Sequence, residues 1–237
     1  MAVETGLNHP QLTLGVRLRD DARFANFHGD RNADVAARLG TLCCDSAASV
    51  IVLCGDKDTG KSHLLQAACH QAEEQGDTAV CLSMDELMRF GPDTLTGLEH
   101  SNLVGIDDLD RIAGLPEWEE AVFHLYNRVL DRGHRLLVTL GDTPGSLPFV
   151  LGDLISRLRH GMLLQLGLYQ DADRLIILQA RAEQRGLIMG DDVASYILRR
   201  APRKLGELLS ILDRLDENSL RAQRKLTVPF VKSVMGW

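Results

Sequence analysis

Hydrophobic and polar positions divide the first two thirds of the chain into segments of two alternating kinds. Short apolar runs that end at a glycine or an aspartate are typical of buried strands, and five are predicted, at 47–54, 79–82, 102–106, 135–140 and 162–166. Helical spacing or composition predicts helices at 61–74, at 84–90, from Pro116 onward and at 151–158. Strands that alternate with helices imply a parallel sheet with crossover helices on both faces.

The pattern changes after residue 171, where no further strand is predicted. Helices are expected near 171–185, 191–199, 203–216 and 227–235, and the third has one apolar face, formed by Leu205, Leu208, Leu209, Leu212 and Leu215. The predicted organisation is an extended N-terminal arm over 1–20, an α/β domain over 21–168 and a small helical domain over 169–237.

Composition is that of a globular protein, with 45% hydrophobic and 25% charged residues in 237. The net charge of −7 argues against a protein that coats nucleic acid without sequence preference, since such a protein needs a basic surface. The N-terminus has no apolar run typical of a secretory signal, and no apolar stretch approaches the roughly 20 residues that cross a bilayer. Five cysteines without a C-x-x-C spacing favour free thiols, and we expect a cytoplasmic protein without a membrane partner.

Residues 55–62 read Gly-Asp-Lys-Asp-Thr-Gly-Lys-Ser and match the phosphate-loop pattern G-x-x-x-x-G-K-[ST] at every fixed position. Glycines allow the backbone to wrap closely around a phosphate, and a following helix N-terminus attracts the anion. The lysine is expected to reach the β- and γ-phosphates, and the serine hydroxyl is expected to bind Mg²⁺. The residues predicted to hold the nucleotide here are Gly55, Asp58, Thr59, Gly60, Lys61, Ser62 and His63.

A second acidic site follows the third predicted strand, which ends in Asp107 and Asp108. This is the form of a Walker B motif, in which Asp107 would hold Mg²⁺ through water and Asp108 would orient the attacking water. Neither an H-E-x-x-H zinc motif nor a G-x-S-x-G nucleophile motif occurs, so metal hydrolase and acyl-transfer chemistry have little support.

Several segments resemble the AAA+ module of the DnaA family of bacterial replication proteins. They are the lead-in Phe-Ala-Asn-Phe with its following glycine (24–29), the double-aspartate strand end (106–110), Gly-Asp-Thr-Pro (141–144), Leu-Ile-Ser-Arg-Leu (154–158), Arg-Lys-Leu with a further leucine (203–208) and the closing segment (225–232). The resemblance implies an AAA+ P-loop domain with a five-stranded parallel sheet and a C-terminal helical lid. It also implies that ADP or ATP is bound with Mg²⁺.

The resemblance also implies roles for single residues. Arg157 would be an arginine finger that acts on the γ-phosphate bound in a neighbouring subunit. Arg203 would reach the chain's own nucleotide from the lid, Asp142 would be the first sensor, and Phe27 would border the adenine.

Two further features favour a regulator over the initiator itself. After Arg203 the chain leaves room for the lid but not for the family's duplex-binding domain. Gln11, Leu12 and Leu14 resemble the peptide that docks on the DNA polymerase III sliding clamp (the β subunit), although Gly15 replaces the usual proline. The implied function is to promote hydrolysis of ATP bound to the initiator DnaA while tethered to the clamp, preventing re-initiation. DNA would be met mainly through the clamp, a homo-oligomer is possible, and the cytoplasmic location would be at the nucleoid and replisome.

Two alternatives remain open. One is a helicase loader or another adaptor of the DnaA type, in which the N-terminal arm binds a helicase. The other is a free-standing P-loop enzyme such as a small-molecule kinase, against which the lid-like segment and the 154–158 segment argue.

Overall fold

The computed structural model describes residues 21–44, 49–222 and 226–237. The predicted N-terminal arm, with Gln11, Leu12 and Leu14, lies outside the described residues. The start of the strand predicted at 47–54 also lies outside them, as does the start of the closing segment at 225.

Five strands form one parallel sheet, and all five predicted strands are confirmed within a few residues. Their bounds are β1 Val50–Cys54, β2 Ala79–Ser83, β3 Leu103–Asp107, β4 Arg135–Leu140 and β5 Met162–Gln165. The spatial order is β2-β3-β4-β1-β5, so the strand that leads into the phosphate loop lies between β4 and β5. Because carboxyl ends of parallel strands share one edge, this order brings the ends of β1, β3 and β4 together.

The described part of the chain contains nine α-helices, joined by short 3₁₀ turns. Their bounds are α1 Ala33–Cys44, α2 Lys61–Glu74, α3 Met84–Leu87, α4 Pro116–Asp131, α5 Gly152–His160, α6 Asp171–Gln184, α7 Asp191–Arg200, α8 Leu205–Ala222 and α9 Val228–Met235.

The sheet is covered on both faces, as the apolar strands predict. One face packs against α4 and α5 through a core that includes Val52, Val138 and Leu125, and the other packs against α1 and α2 through Ile51 and Leu64. Strands covered on both sides read as continuous apolar runs, which is why the sequence reveals them.

A third core lies among the four C-terminal helices. It contains buried residues of α6, α7, α8 and α9, among them Leu178, Ile197, Leu212 and Val231. The last strand ends at Gln165 and the first of these helices begins at Asp171, so the predicted boundary near residue 168 falls in the connection. None of the helices in the described part of the chain is long and apolar enough to cross a membrane.

Three helices differ from the sequence prediction. The helix predicted over 84–90 ends at Leu87, and the helix predicted over 203–216 runs from Leu205 to Ala222. Helix α1 was not predicted, although Ala36, Leu39 and Cys43 are buried at helical spacing. Two of these three residues are small, so the apolar stripe contrasts weakly with its neighbours.

Candidate nucleotide-binding site

The phosphate loop connects β1 to α2 and requires glycine at two positions. Gly60 has a φ of +96°, and a Cβ atom there would lie 2.7 Å from Phe27 Cε2. At Gly55 an added Cβ would lie 2.9 Å from the carbonyl oxygen of Leu166. The loop is therefore held against the lead-in segment and the end of β5, with its backbone at the N-terminus of α2, as an anion site requires.

Lys61 is the first residue of α2 and is only 7% exposed. Its Nζ donates hydrogen bonds to the carbonyl oxygens of Gly55, at 2.6 Å, and Asp56, at 2.9 Å. The Thr59 hydroxyl donates to the same Asp56 oxygen at 2.8 Å. Since an ammonium group has three donors, Lys61 retains one for a phosphate oxygen while the loop fixes its position.

A cavity of about 280 Å³ opens beside this loop, between the α/β domain and the C-terminal helices. The predicted residues that line it are Phe27, Asp58, Gly60, Lys61, Ser62, His63 and Asp108. The wall is completed by one more loop residue, Lys57, by Tyr169, and by residues of the lead-in segment, of α6 and of α8: Asn26, His28, Ile177, Arg181, Leu205, Gly206 and Leu209. The wall contains both cationic or polar side chains and apolar ones, a composition that suits a phosphate chain joined to a planar base.

The double-aspartate end of β3 is organised by a threonine that the sequence analysis did not identify. The Thr139 hydroxyl, fully buried near the end of β4, donates to Asp107 Oδ1 at 2.6 Å and accepts from the Asp108 backbone N–H at 2.8 Å. Asp108 itself has a left-handed φ of +53°. A hydroxyl one strand away therefore orients both acidic residues.

The pKa of the Asp108 carboxyl at the end of β3 is raised above its ordinary value. Burial is the largest cause, followed by the charges of Asp107 and Asp110, while Lys61 and Arg111 act in the opposite direction. Asp110 accepts a hydrogen bond from the Gly141 N–H at 3.1 Å. Excess negative charge near Lys61 is what a site for a divalent cation needs.

The described residues fit Mg²⁺ as it is usually bound beside a nucleotide. No cluster of three or more metal-binding His, Cys, Asp or Glu side chains occurs in the described ranges. Mg²⁺ beside phosphates is usually held by one or two protein oxygens and several waters. The Ser62 hydroxyl at the cavity and the Asp107 carboxylate that Thr139 orients are oxygen ligands of that kind.

A polar network joins the phosphate-loop helix to the C-terminal helices. His63, directly after Ser62, accepts a hydrogen bond at Nδ1 from Arg181 Nη2 at 3.1 Å and donates from Nε2 to the Arg23 carbonyl oxygen at 2.9 Å. Arg181 belongs to α6, is 8% exposed and forms an ion pair with Asp21 at 2.6 Å. His63 was predicted from the sequence, whereas Arg181 was not, because its position gives no local signal.

Four residues predicted to contact the nucleotide lie outside the cavity wall, and two of them, Gly55 and Thr59, belong to the phosphate loop itself. The other two are Asp142 and Arg203. Asp142 is exposed and accepts from the N–H of Thr143 at 2.6 Å. Arg203 is 72% exposed and pairs with Asp171 at 3.0 Å, at the start of α6. Neither side chain lines the cavity, so their roles toward a nucleotide stay predictions.

Arg157 lies on α5, exposed and outside the lining of the chain's own cavity. Its guanidinium carbon is 5.7 Å from the centre of the Tyr126 ring. The start of this helix is held by the fully buried carboxylate of Glu119, which accepts hydrogen bonds from the N–H groups of Gly114, Val150 and Leu151 at 2.7 to 3.1 Å. The arginine is thus presented to solvent on a firmly anchored helix.

A phosphate loop and an acidic strand end on a five-stranded parallel sheet, followed by a helical lid, define a P-loop protein of the AAA+ class. Domain III of the replication initiator DnaA of Thermotoga maritima superposes with a TM-score of 0.81 at 17% identity, over 93% of this chain and 98% of that one. AMPPCP-bound DnaA of Aquifex aeolicus superposes with a TM-score of 0.70 at 22% identity, over 87% of this chain and 71% of that one.

The same fold extends to a motor protein. The RuvB Holliday junction branch migration motor of Thermotoga maritima superposes with a TM-score of 0.68 at 16% identity, over 92% of this chain and 72% of that one. Residues 171–235 match the family model described as Hda, lid domain. The lid of this chain therefore matches that family, and the chain as a whole has the AAA+ fold of DnaA domain III.

Proposed function

We propose that the chain is a DnaA-related regulator of replication initiation that acts on ATP bound to the initiator. The single observation that carries this proposal is the position of Arg157, exposed on an anchored helix and outside the wall of its own cavity. A guanidinium placed there can serve a nucleotide site only in another molecule. The match of the lid to Hda and the DnaA-like fold support the initiator as that molecule.

The chain's own cavity is proposed to bind ADP or ATP with Mg²⁺. Lys61 and the loop N–H groups would bind the phosphates, Ser62 and Asp107 would hold the cation, and Phe27 would border the base. The negative charge of a bound nucleotide would attract both the loop and the lid and would so hold them together. In this proposal it sets the shape of the chain, while the hydrolysis that matters takes place in the partner.

In the partner's site, Arg157 would stabilise the charge that develops on the transferred phosphoryl group. An arginine finger contributes about 10³ to 10⁵ in rate in other nucleotide hydrolases. Gln11, Leu12 and Leu14 are proposed to tether the chain to the clamp, which raises its effective concentration near the initiator. The cytoplasmic, replisome-associated location and contact with DNA through the clamp follow from this tether.

The test is ATP hydrolysis by purified DnaA in the presence of clamp-loaded DNA, with and without this protein. We expect strong stimulation that disappears in Arg157→Ala. Arg159→Ala is the matched control, since Arg159 is exposed on the same helix two residues away, and it should retain the stimulation. If Arg159→Ala lost the stimulation as completely as Arg157→Ala does, that result would contradict a specific role for Arg157.

A second arm isolates the tether. Substituting Gln11, Leu12 and Leu14 with alanine should abolish stimulation with clamp-loaded DNA while nucleotide binding in the chain's own cavity is unchanged. If wild-type protein fails to stimulate although clamp and initiator are active, and a replicative helicase is retained in a pull-down, the protein is a loader or adaptor instead.

A further inference from the structure

One face of the lid, where α7 packs against α9, collects positive charge around a single aromatic ring. The guanidinium carbon of Arg200 and the Nζ of Lys232 each lie 5.6 Å from the centre of the Tyr196 ring. The ring of Trp237 lies 6.1 Å from the same ring. Arg199 is exposed beside Arg200 in the last turn of α7. We call Arg199, Arg200 and Lys232 the lid cation cluster.

The cluster lacks the acidic partners that most other described cations of the lid have. Five of those cations form ion pairs with carboxylates in the described part of the chain: Arg174, Arg181, Arg185, Arg203 and Lys204. None of the three cluster residues forms an ion pair with a described carboxylate.

Two cations near one ring repel each other, and the ring offsets only part of that cost. Arg200 and Lys232 must lie within about 11 Å of each other, close to the Debye length at physiological salt, so their repulsion is only partly screened. Both are in the last turns of their helices, where the helix dipole favours cations by about 0.3–1 kcal/mol. An anion bound between them would relieve the repulsion.

The sequence around the cluster favours a polyanion over a single anion. The segment that precedes α9 contains Arg221, Arg224 and Lys225 in the sequence, although it lies outside the residues whose side chains are described. Residues 199–232 hold nine lysines and arginines against four acidic residues. Cations clustered on one face of a domain are typical of proteins that bind nucleic-acid backbones.

We propose that the lid cation cluster binds the phosphodiester backbone of DNA directly and without sequence preference. The cluster lies on α7 and α9, whereas the nucleotide cavity is lined by α6 and α8, so the two sites are separate. This activity does not depend on the proposed action on the initiator, and either can fail without the other.

The test measures binding of the full chain to a fluorescently labelled 30-base-pair duplex and to the corresponding single strand, by anisotropy over a range of salt concentrations. Three phosphate contacts predict that affinity for duplex falls about 40-fold between 50 and 200 mM salt. In Arg200→Ala/Lys232→Ala the plot of log affinity against log salt should become less steep by about 2. The affinity of this variant for duplex should then fall only about fourfold over the same range of salt.

The control variant is Arg38→Ala/Arg132→Ala, which removes the same charge from exposed positions of the α/β domain. It should bind DNA with the wild-type slope, and both double variants should bind ADP as the wild type does. Equal loss of DNA binding in the two variants would show a general charge effect and overturn the proposal. The proposal would also be overturned if polyglutamate displaced the labelled DNA as effectively as unlabelled DNA of equal charge does. The surface would then suit an acidic protein rather than DNA.

Discussion

The hydroxyl of Thr139 donates a 2.6 Å hydrogen bond to Asp107 Oδ1, across the boundary between two neighbouring strands. The same hydroxyl already accepts from the Asp108 N–H, which leaves its proton for the carboxylate. This bond holds one oxygen of Asp107 and leaves the other available to a cation.

Thr139→Val is expected to reduce the Mg²⁺ affinity of the nucleotide-bound protein, because the Asp107 carboxylate loses its positioning donor. The variant also leaves a buried N–H at Asp108 without an acceptor, which costs about 1–3 kcal/mol in the free energy of unfolding. Urea denaturation measures the stability, and nucleotide binding titrated against Mg²⁺ measures the site. Thr139→Ser retains the hydroxyl and should restore the Mg²⁺ dependence, and failure to do so would contradict the positioning role.

Asp108→Asn is expected to raise the melting temperature of the nucleotide-free protein at neutral pH. The folded state raises the pKa of this carboxyl, so folding disfavours its charged form, and stability falls as pH rises from the unfolded pKa through the folded one. The amide removes this penalty, and asparagine tolerates the left-handed backbone.

The stabilisation by Asp108→Asn should be largest above the folded pKa, should decrease as pH falls through it, and should disappear below the unfolded pKa, where the wild-type carboxyl is neutral in both states. Melting temperatures of both proteins from pH 4 to pH 8 check this sign. A pH-independent difference would show that the effect is not electrostatic. The same substitution should weaken hydrolysis in the chain's own site wherever that hydrolysis is measurable.

Gly60→Ala is expected to abolish nucleotide binding and to destabilise the fold, because its Cβ would lie 2.7 Å from Phe27 Cε2 and 3.1 Å from the Tyr169 hydroxyl. Gly76→Ala is the matched control, with a similar φ of +91° and no atom within 4 Å of the added Cβ. The control measures backbone strain alone, about 1–2 kcal/mol. Calorimetry with ADP and urea denaturation should show a larger effect at Gly60, and equal effects would exclude the clash.

Glu119→Gln is expected to destabilise the protein by about 2–4 kcal/mol, since one oxygen acceptor becomes an NH₂ group facing buried N–H donors. Because these donors hold the start of α5, the position of Arg157 should also loosen. We expect the stimulation of DnaA to fall at temperatures where the variant is still folded. Glu120→Gln changes the exposed neighbour on the same helix and should leave both measurements unchanged.

The chain order of strands and helices, the phosphate loop and the double-aspartate strand end were readable in the sequence. Each is a contiguous pattern whose period or residue types reflect local backbone geometry: a run of apolar residues for a strand buried on both faces, or glycines where a Cβ would collide. Helix α1 could not be predicted from such a pattern, because Ala36 and Cys43 give its buried face too little apolar contrast.

Tertiary structure alone decided which distant residues meet at the site. Thr139 reaches Asp107 because β3 and β4 are neighbours in the sheet, and Arg181 reaches His63 across 118 positions because the lid packs on the phosphate-loop helix. Glu119 likewise binds N–H groups more than 30 residues away. Periodicity determines which face of an element is buried, but the pairing of faces depends on how the whole chain packs, and no local pattern carries that information.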